Sequence, residues 1–551
     1  MTLAVVLATE AVASGSTPTA GLTLPGGGAV VTRLLAQLES LDVGDRRVIA
    51  RPDFAAVLRE AGCEVVESKG LADDLREIAR VARTARQPML VLHGDVVAHR
   101  EVFARLVFNS KAPASAVVAR VPVNDDKPTR PLIRITKGRI ASAGSPYHQV
   151  TDPNAVFRGI VRVSQEETGT LADVAERLAE LADKPDGLTE ISPLRRLWQA
   201  PEDTGDVEIE QAGGQHLSAL ATTPITGEDA PALLVVGLVR SGVKVTGRGN
   251  ITLVCERVLD QTQADAAQRA VDTVDEDKVR LTAAVKNNDG FFTTYAVSTY
   301  SRYIARWCGK RGWTPNAVTA ISMGISVVAA GFFSTGQRWG MILGGLSLYF
   351  AFVFDCVDGQ LARYTRQFST LGAWLDATFD RAKEYTVFAG LAAGSTAAVV
   401  GSSVHGGDVW YLAVIAITVQ TCRHMVDFAF GASKRRRPPE PIPVVPLGTP
   451  DDSALDEPEP PKSRPSGGGL SHLVVWMAGR SDKVRLIHWC KKIIVLPIGE
   501  RFALIALTAA LFNARVTFIA LLSWGAVAGL YTVAGRVLRS LTQPRSVAVS
   551  K

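Results

Sequence analysis

Up to about residue 290, apolar and polar positions alternate in short blocks. "LAVVLA" (3–8) has the unbroken apolar run of a buried strand and leads into a loop rich in Gly, Pro and Thr. Next come the helical "VVTRLLAQLESL", the strand "RRVIA", the helical "DFAAVLREAG" and the strand "CEVVES". The helical "LADDLREIARVARTA" then precedes the strand "PMLVLHGDVV" (88–97). This βαβα order predicts a parallel sheet with helices on both faces. Ligands of such sheets bind at the carboxyl ends of the strands, and Asp95 lies at one such end. Farther on, "ALLVVGLVRSGVKVTGRGNITLVCERV" reads as more strands with a turn at "TGRGN", and "DQTQADAAQRAVDTVDEDKVRLTAAVK" as a polar helix.

From "WTPNAVT" (313–319) onward the blocks lengthen into apolar runs. At roughly 20 residues per membrane crossing, the pattern predicts six spans, near 316–336, 339–360, 373–402, 408–431, 498–514 and 516–538. Between the fourth and fifth lies "PPEPIPVVPLGTPDDSALDEPEPPKSRPSGGG", whose proline and glycine density predicts a flexible linker. The mixed basic and apolar stretch 470–497 suits a helix lying in the membrane interface. The expected layout is therefore an α/β domain over 1–285 and an amphipathic juxtamembrane segment over 286–312. Four spans within 313–432, a linker over 433–469, the interfacial helix 470–497, two spans within 498–540 and a basic tail over 541–551 follow. The fold class is an N-terminal α/β domain plus an all-α polytopic membrane domain.

Composition supports this split. A length of 551 residues exceeds one compact core, and 47% hydrophobic residues is high for a wholly soluble chain. The net charge of +6 is modest, and its basic clusters, "RYIARWCGKRG", "KRRR", "KVRLIHWCKK" and the tail, flank apolar sequence. Such placement points to the cytoplasmic face and anionic lipid rather than to nucleic acid. With the first cluster inside, the later ones also fall inside, leaving Arg338 and Arg515 among the outer positives. The N-terminal domain, the linker and the C-terminus are then expected on the cytoplasmic side of a cell (inner) membrane. "MTLAVVLATEAVASG" lacks a basic lead-in, which favours a buried strand over a signal peptide. Six scattered cysteines without a CxxC indicate neither a zinc site nor a disulfide framework.

The candidate chemistry lies in "DCVDGQLARYTRQFSTLGAWLDATFD" (355–380). On a helix, residues three or four apart share a face, so Asp355 pairs with Asp358 and Asp376 with Asp380. The first pair ends the second span and the second opens the third; the short turn between them should bring all four carboxylates together. Converged carboxylates repel one another unless cations lie between them, and hard oxygen ligands suit Mg²⁺, Mn²⁺ or Ca²⁺ rather than zinc. Two metal ions held by four aspartates suit chemistry on a pyrophosphate. Gly359 and Ala362 leave room for a base or diphosphate to approach the backbone, and Arg363 can pair with phosphate. Toward the inner end of the fourth span, Arg423, His424 and Asp427 are polar residues where polar residues are expensive. Arg423 is a candidate for binding a phosphate of acceptor or donor; the alternative is an Asp427–Arg423 pair at i,i+4.

The spacing D-x₂-D-G-x₂-A-R-x₈-G-x₃-D-x₃-D, with Asp355, Asp358, Gly359, Ala362, Arg363, Gly372, Asp376 and Asp380 at its fixed positions, resembles the signature of the CDP-alcohol phosphotransferase family. The resemblance covers about 286–540 and includes Thr314-Pro315-Asn316 at the start of the first span. It implies cleavage of a CDP-linked donor, transfer of its phospho-alcohol unit to a hydroxyl acceptor, and release of CMP. By the same resemblance, Asp355, Asp358 and Asp376 chiefly bind metal and the cytidine diphosphate, with Asn316, Gly359, Ala362, Arg363 and Gly372 around the CDP. Asp380 is the general base for the acceptor and a further metal ligand. The implied cofactor is a pair of Mg²⁺ (or Mn²⁺) ions. The implied partners are CDP-diacylglycerol as donor, a polyol phosphate as acceptor, membrane lipid, and a second copy of the chain, since members are commonly dimeric.

The opening strand with its glycine-bearing loop ("ATEAVASGSTPTAGLTLPGGG") and the strand ending in "GD" resemble the nucleotidyltransferase fold of sugar-phosphate and alcohol-phosphate cytidylyltransferases. There the loop cradles nucleotide phosphates and the aspartate, here Asp95, helps hold Mg²⁺. The family loop carries an Arg and is followed by a Pro-Lys; residues 9–32 hold no Lys or Arg, so the domain reads as degenerate. Two alternatives stand beside phosphatidyl transfer. One is a bifunctional enzyme whose N-terminal domain makes a soluble CDP-alcohol, resembling CDP-inositol, that the membrane domain consumes. The other is a transporter or scaffold using the acidic cluster as a cation site.

Overall fold

Strands β1 (Leu3–Ala8), β2 (Asp45–Ala50), β3 (Val65–Glu67) and β4 (Met89–His93) form where the sequence pattern placed them, and all four run parallel. The computed structural model of the chain describes residues 2–12, 17–109, 112–120, 131–184, 187–188, 229–249, 252–286, 289–401, 409–435, 442–455 and 485–542. It divides into two units, Met1–Val279 with Glu440–Ser463, and Arg280–Pro439 with Arg464–Lys551.

In the first unit the parallel strands are one half of a nine-stranded sheet of order β3-β2-β1-β4-β9-β6-β10-β8-β7. The other half comprises β6 (Ala114–Arg120), β7 (Leu132–Thr136), β8 (Arg139–Ala143), β9 (Ala155–Val163) and β10 (Val245–Arg248). The expectation of a parallel sheet is corrected here, because β9 runs antiparallel to both β4 and β6. The run "PMLVLHGDVV" also divides at Gly94-Asp95. Its tail, β5 (Val96–Ala98), pairs antiparallel with β11 (Cys255–Arg257) in a separate two-stranded sheet.

The apolar run read as strands from 233 onward begins as a helix, Ala230–Arg240, whose residues are all buried. A helix buried on every side shows no periodicity, so its sequence cannot be told from that of a buried strand. Asp229 caps it, accepting a hydrogen bond from Ala232 N at 2.9 Å.

The linker expectation is corrected as well. Residues 442–455, despite their prolines, are held against the α/β unit. Arg240 is almost fully buried; its guanidinium donates to the carbonyls of Pro446 (2.9 Å), Thr449 and Asp451 (3.0 Å). Asp452, wholly buried, accepts from Thr151 N at 2.9 Å and Thr151 Oγ1 at 2.6 Å. Val445 and Leu455 complete the core beneath it. Composition argues against a self-contained core in this stretch; it does not exclude docking onto one already made.

His148 holds the same strap. Its Nε2 donates to the Leu447 carbonyl at 2.6 Å, so Nδ1 accepts from Ser145 Oγ at 2.7 Å, which satisfies the neutral ring. Burial pushes the ring down to about 4, with the Arg240 charge adding to that against the Leu447 hydrogen bond. Between about pH 6.5 and 4 the unfolded chain therefore binds a proton that the folded chain refuses, and stability falls as pH falls. The expected loss by pH 4 is on the order of 3 kcal/mol. Thermal unfolding measured across this range should show the loss in the wild type and a flatter dependence in His148→Gln, which keeps a donor for Leu447 but takes up no proton.

The second unit is helical. Among the described residues, four helices are long and apolar enough to cross a membrane: Pro315–Ser334, Arg338–Thr365, Trp410–Ser433 and Ala514–Val537. The other two expected spans differ. Helix Thr370–Gly401 has 32 residues, but Asp376, Asp380, Arg381, Lys383 and Glu384 fill its first half. Helix Ile498–Leu511 has 14 residues, about 21 Å at 1.5 Å per residue, short of a hydrocarbon core of ~30 Å. The amphipathic expectations fall on Ser298–Lys310 and Arg485–Ile494; residues 470–484 and the tail 543–551 lie outside the described residues. Small residues let the helices meet: a Cβ on Gly390 would stand 2.5 Å from the Ala330 carbonyl oxygen. That contact fixes Thr370–Gly401 on Pro315–Ser334, and with it the aspartates at its start.

Candidate active site

Helix Arg338–Thr365 stops because Arg366 takes the left-handed conformation (φ 60°). The next helix starts where Ser369 Oγ accepts from Gly372 N at 2.8 Å, satisfying a first-turn amide. The turn between is short enough to fold the two helices side by side. Of the four carboxylates that the spacing predicts to meet, Asp355, Asp376 and Asp380 converge, each offering a carboxylate oxygen within 4.8 Å of the others.

Asp358 is not part of that group. It is buried, and accepts from Thr319 Oγ1 at 2.6 Å. Thr319 stands one turn after Asn316, whose Oδ1 abuts Gly372: a Cβ there would lie 2.6 Å from it. The first span therefore contributes to the site through both residues, and any larger residue at 372 would displace Asn316.

Sequence reasoning missed Lys383. It is fully buried, is ion-paired with Asp355, and lies 3.9 Å from Asp380 Oδ1. Its position three residues after Asp380 puts it on the same helix face, which was the available signal. Asp380 Oδ1 is buried without a hydrogen-bond partner among the described residues. A buried carboxylate oxygen left unsatisfied is costly, and three hard oxygen donors around it fit a divalent cation of the Mg²⁺ or Mn²⁺ kind.

Arg363 points its fork at Gly359, where a Cβ would stand 3.3 Å from Nη1. Its Nε donates to the Ala284 carbonyl. Ala362 is half-buried beside it.

A second polar network surrounds Glu384, itself buried. Arg501 Nε pairs with it at 3.0 Å, Gln420 Nε2 donates to it at 3.2 Å, and His424 lies 3.1 Å from Gln420. Arg423 donates to the carbonyls of Val495 (2.7 Å) and Leu496 (3.4 Å). The Asp427–Arg423 pair weighed from the sequence does not form; Asp427 pairs with Arg536 instead.

In the α/β unit, Asp95 is buried in a two-point ion pair with Arg257, at 3.0 and 2.9 Å. Arg257 also donates to Asp229 at 3.3 Å, and His93 Nε2 lies 2.9 Å from Asp229. Burial alone would raise the Asp229 carboxyl, but His93 and Arg257 outweigh it and hold it down at about 2.

Residues 313–444 match the model of the CDP-alcohol phosphatidyltransferase family. A phosphatidylinositol phosphate synthase of Mycobacteroides abscessus is 41% identical over 83 residues, 15% of this chain and 36% of that protein. An archaetidylinositol phosphate synthase of Pyrococcus horikoshii is 34% identical over 91 residues, 16% of this chain and 47% of that protein. A bifunctional IPC transferase and DIPP synthase of Rubrobacter xylanophilus is 34% identical over 82 residues, 15% of this chain and 18% of that protein. The chain thus spans less than half the length of each of these relatives. Among solved structures, the inositol-1-phosphate CTP transferase from T. maritima aligns with 49% of this chain and 97% of its own, at 14% identity and a TM-score of 0.32.

Proposed function

We propose, starting from the family match over 313–444 and the eight-residue signature inside it, that the chain is an integral-membrane CDP-alcohol phosphotransferase of phospholipid synthesis. The observation that carries the reading is the convergence of Asp355, Asp376 and Asp380 around the unsatisfied Asp380 Oδ1. A transporter or scaffold does not require the Asn316–Gly372 contact or the Arg363 fork over Gly359.

Asp355, Asp376 and Asp380 would hold the divalent cations, which when bound supply positive charge to the donor's diphosphate. Asp358, held by Thr319, closes the wall beside them. Arg363 pairs with a phosphate oxygen of the donor, and Gly359 and Ala362 leave the space in which the nucleotide meets the helix. The acceptor hydroxyl oxygen attacks the phosphorus that bears the donor's alcohol. The bond from that phosphorus to the bridging diphosphate oxygen breaks, CMP leaves, and Asp380 takes the hydroxyl proton. Lys383 holds Asp355 in place and offsets its charge.

The donor in this reading is CDP-diacylglycerol, entering from the bilayer, and the acceptor is a phosphorylated polyol. Two of the similar proteins named above are named as inositol phosphate lipid synthases, which supports an acceptor of that class. Arg423 is then a candidate for the acceptor's phosphate. The chain would lie in the cell membrane with its α/β unit on the cytoplasmic side. The Asp95–Arg257 pair favours this single activity over the bifunctional alternative, because the carboxylate proposed for nucleotide metal binding already faces a buried cation.

The test supplies the purified full chain with labelled CDP-diacylglycerol, Mg²⁺ and a set of phosphorylated and unphosphorylated polyols. One lipid-soluble phosphodiester product, formed with a phosphorylated polyol in step with CMP, is expected. Equal use of a soluble CDP-alcohol and indifference to CDP-diacylglycerol would overturn the choice of donor.

A further inference from the structure

The motif arginine is anchored by chain that precedes the family match. Arg363 Nε donates to the carbonyl of Ala284, the last residue of helix Glu276–Ala284. That helix end carries partial negative charge that favours a cation. The next motif-helix residue, Tyr364, is buried against Leu281 and Ala284, and the Arg280 guanidinium lies 4.3 Å from its ring centroid.

The chain continues along the same site. Lys492 Nζ donates to the Asp289 carbonyl at 3.1 Å, and Phe292 N donates to Glu500 Oε1 at 3.2 Å. A Cβ on Gly290 would stand 2.3 Å from the Glu500 carboxylate, so residues 289–292 lie close against it.

We propose that the helix end Arg280–Ala284 is a positioning element of the active site, in which Arg280 and the Ala284 carbonyl set where the Arg363 guanidinium stands and hence how the diphosphate of a CDP-linked donor is held. The inference rests on the phosphotransferase reading. The physical reason is geometric. With Nε fixed on a backbone carbonyl, the two terminal nitrogens of Arg363 form an oriented fork, and an oriented fork grips a phosphate at two points. Arg280 contributes by stacking on Tyr364, which holds the helix end against the segment. Removing the stack leaves Arg363 present but unaimed. This lowers donor affinity and leaves the acceptor's proton transfer at Asp380 untouched.

The experiment measures donor KM and kcat for CMP release from CDP-diacylglycerol by the full chain. Arg280→Ala should raise donor KM by about 3–10-fold with kcat nearly unchanged, and Arg280→Lys should recover part of the loss. The double variant Arg280→Ala/Arg363→Ala should be no worse than Arg363→Ala alone, since both act through one contact. Unchanged donor KM in Arg280→Ala, or additive losses in the double variant, would overturn the proposal. A wild type that releases no CMP from any CDP-linked donor would overturn the functional reading instead, so the two failures are distinguishable. Should Arg280→Ala fail to fold, Arg280→Gln decides in its place, because it keeps side-chain bulk against Tyr364 while removing the cation.

Discussion

Asp380→Asn should lower kcat for CMP release by about 10³-fold, within the range general-base catalysis contributes, while donor KM changes far less. Asn keeps the volume and one oxygen of the carboxylate but cannot accept the acceptor's proton. The prediction separates Asp380 from Asp358, which is held by Thr319 and lies outside the converging trio. Asp358→Asn keeps an oxygen to accept the Thr319 hydrogen bond and should act mainly through donor binding. Steady-state kinetics with donor and acceptor varied separately checks both. Equal kcat losses in the two variants would assign the proton to neither in particular.

Lys383→Met should destabilise the protein strongly when divalent cations are removed. Lys383 is the fully buried cation between Asp355 and Asp380; without it, those two carboxylates lose the cation that pairs with both. Removing one partner of a buried pair costs about 3–5 kcal/mol, which in EDTA should appear as a clear fall in Tm. Added Mg²⁺ should raise the Tm of the variant more than that of the wild type, because in the wild type the cation competes with Lys383 for Asp355. Thermal unfolding in detergent, with EDTA and with Mg²⁺, reads both effects. A variant with the wild-type Tm in EDTA would show that the ammonium is not what holds the trio together.

How much of this was legible in the sequence varied with the kind of signal. The parallel strands β1 to β4 and the helices between them followed from short periodic runs bounded by turns. The antiparallel β9 did not, since strand direction is set by which connection returns to the sheet, and that is tertiary information. The helix Ala230–Arg240 was hidden because burial on every side erases periodicity. The strap 442–455 was hidden because what holds it is distant: the Arg240 guanidinium, the Thr151 pair to Asp452 and the His148 ring all lie about 300 or 200 residues earlier in the chain.

The acidic cluster was legible because its geometry is local. One i,i+3 pair and one i,i+4 pair on consecutive helices, joined by a short turn, leave few ways to fold apart. Asp355, Asp376 and Asp380 met as the spacing requires. The contacts that tune them were less visible. Thr319 and Asn316 come from another helix, and the Ala284 carbonyl is a backbone group that no motif records. Lys383 was in plain view at i,i+3 from Asp380, yet a lysine beside a membrane reads first as an interfacial anchor.

The central claim is that the converged aspartates carry metal-dependent phosphotransfer. It is tested most directly by measuring CMP release from CDP-diacylglycerol by the purified full chain, with a phosphorylated polyol present, in Mg²⁺ and in EDTA, beside Asp376→Asn. The account predicts release in Mg²⁺, its loss in EDTA with recovery when Mg²⁺ or Mn²⁺ is returned, and near-absence of release in Asp376→Asn at any metal concentration. Release that persists in EDTA, or that Asp376→Asn sustains at the wild-type rate, would contradict it.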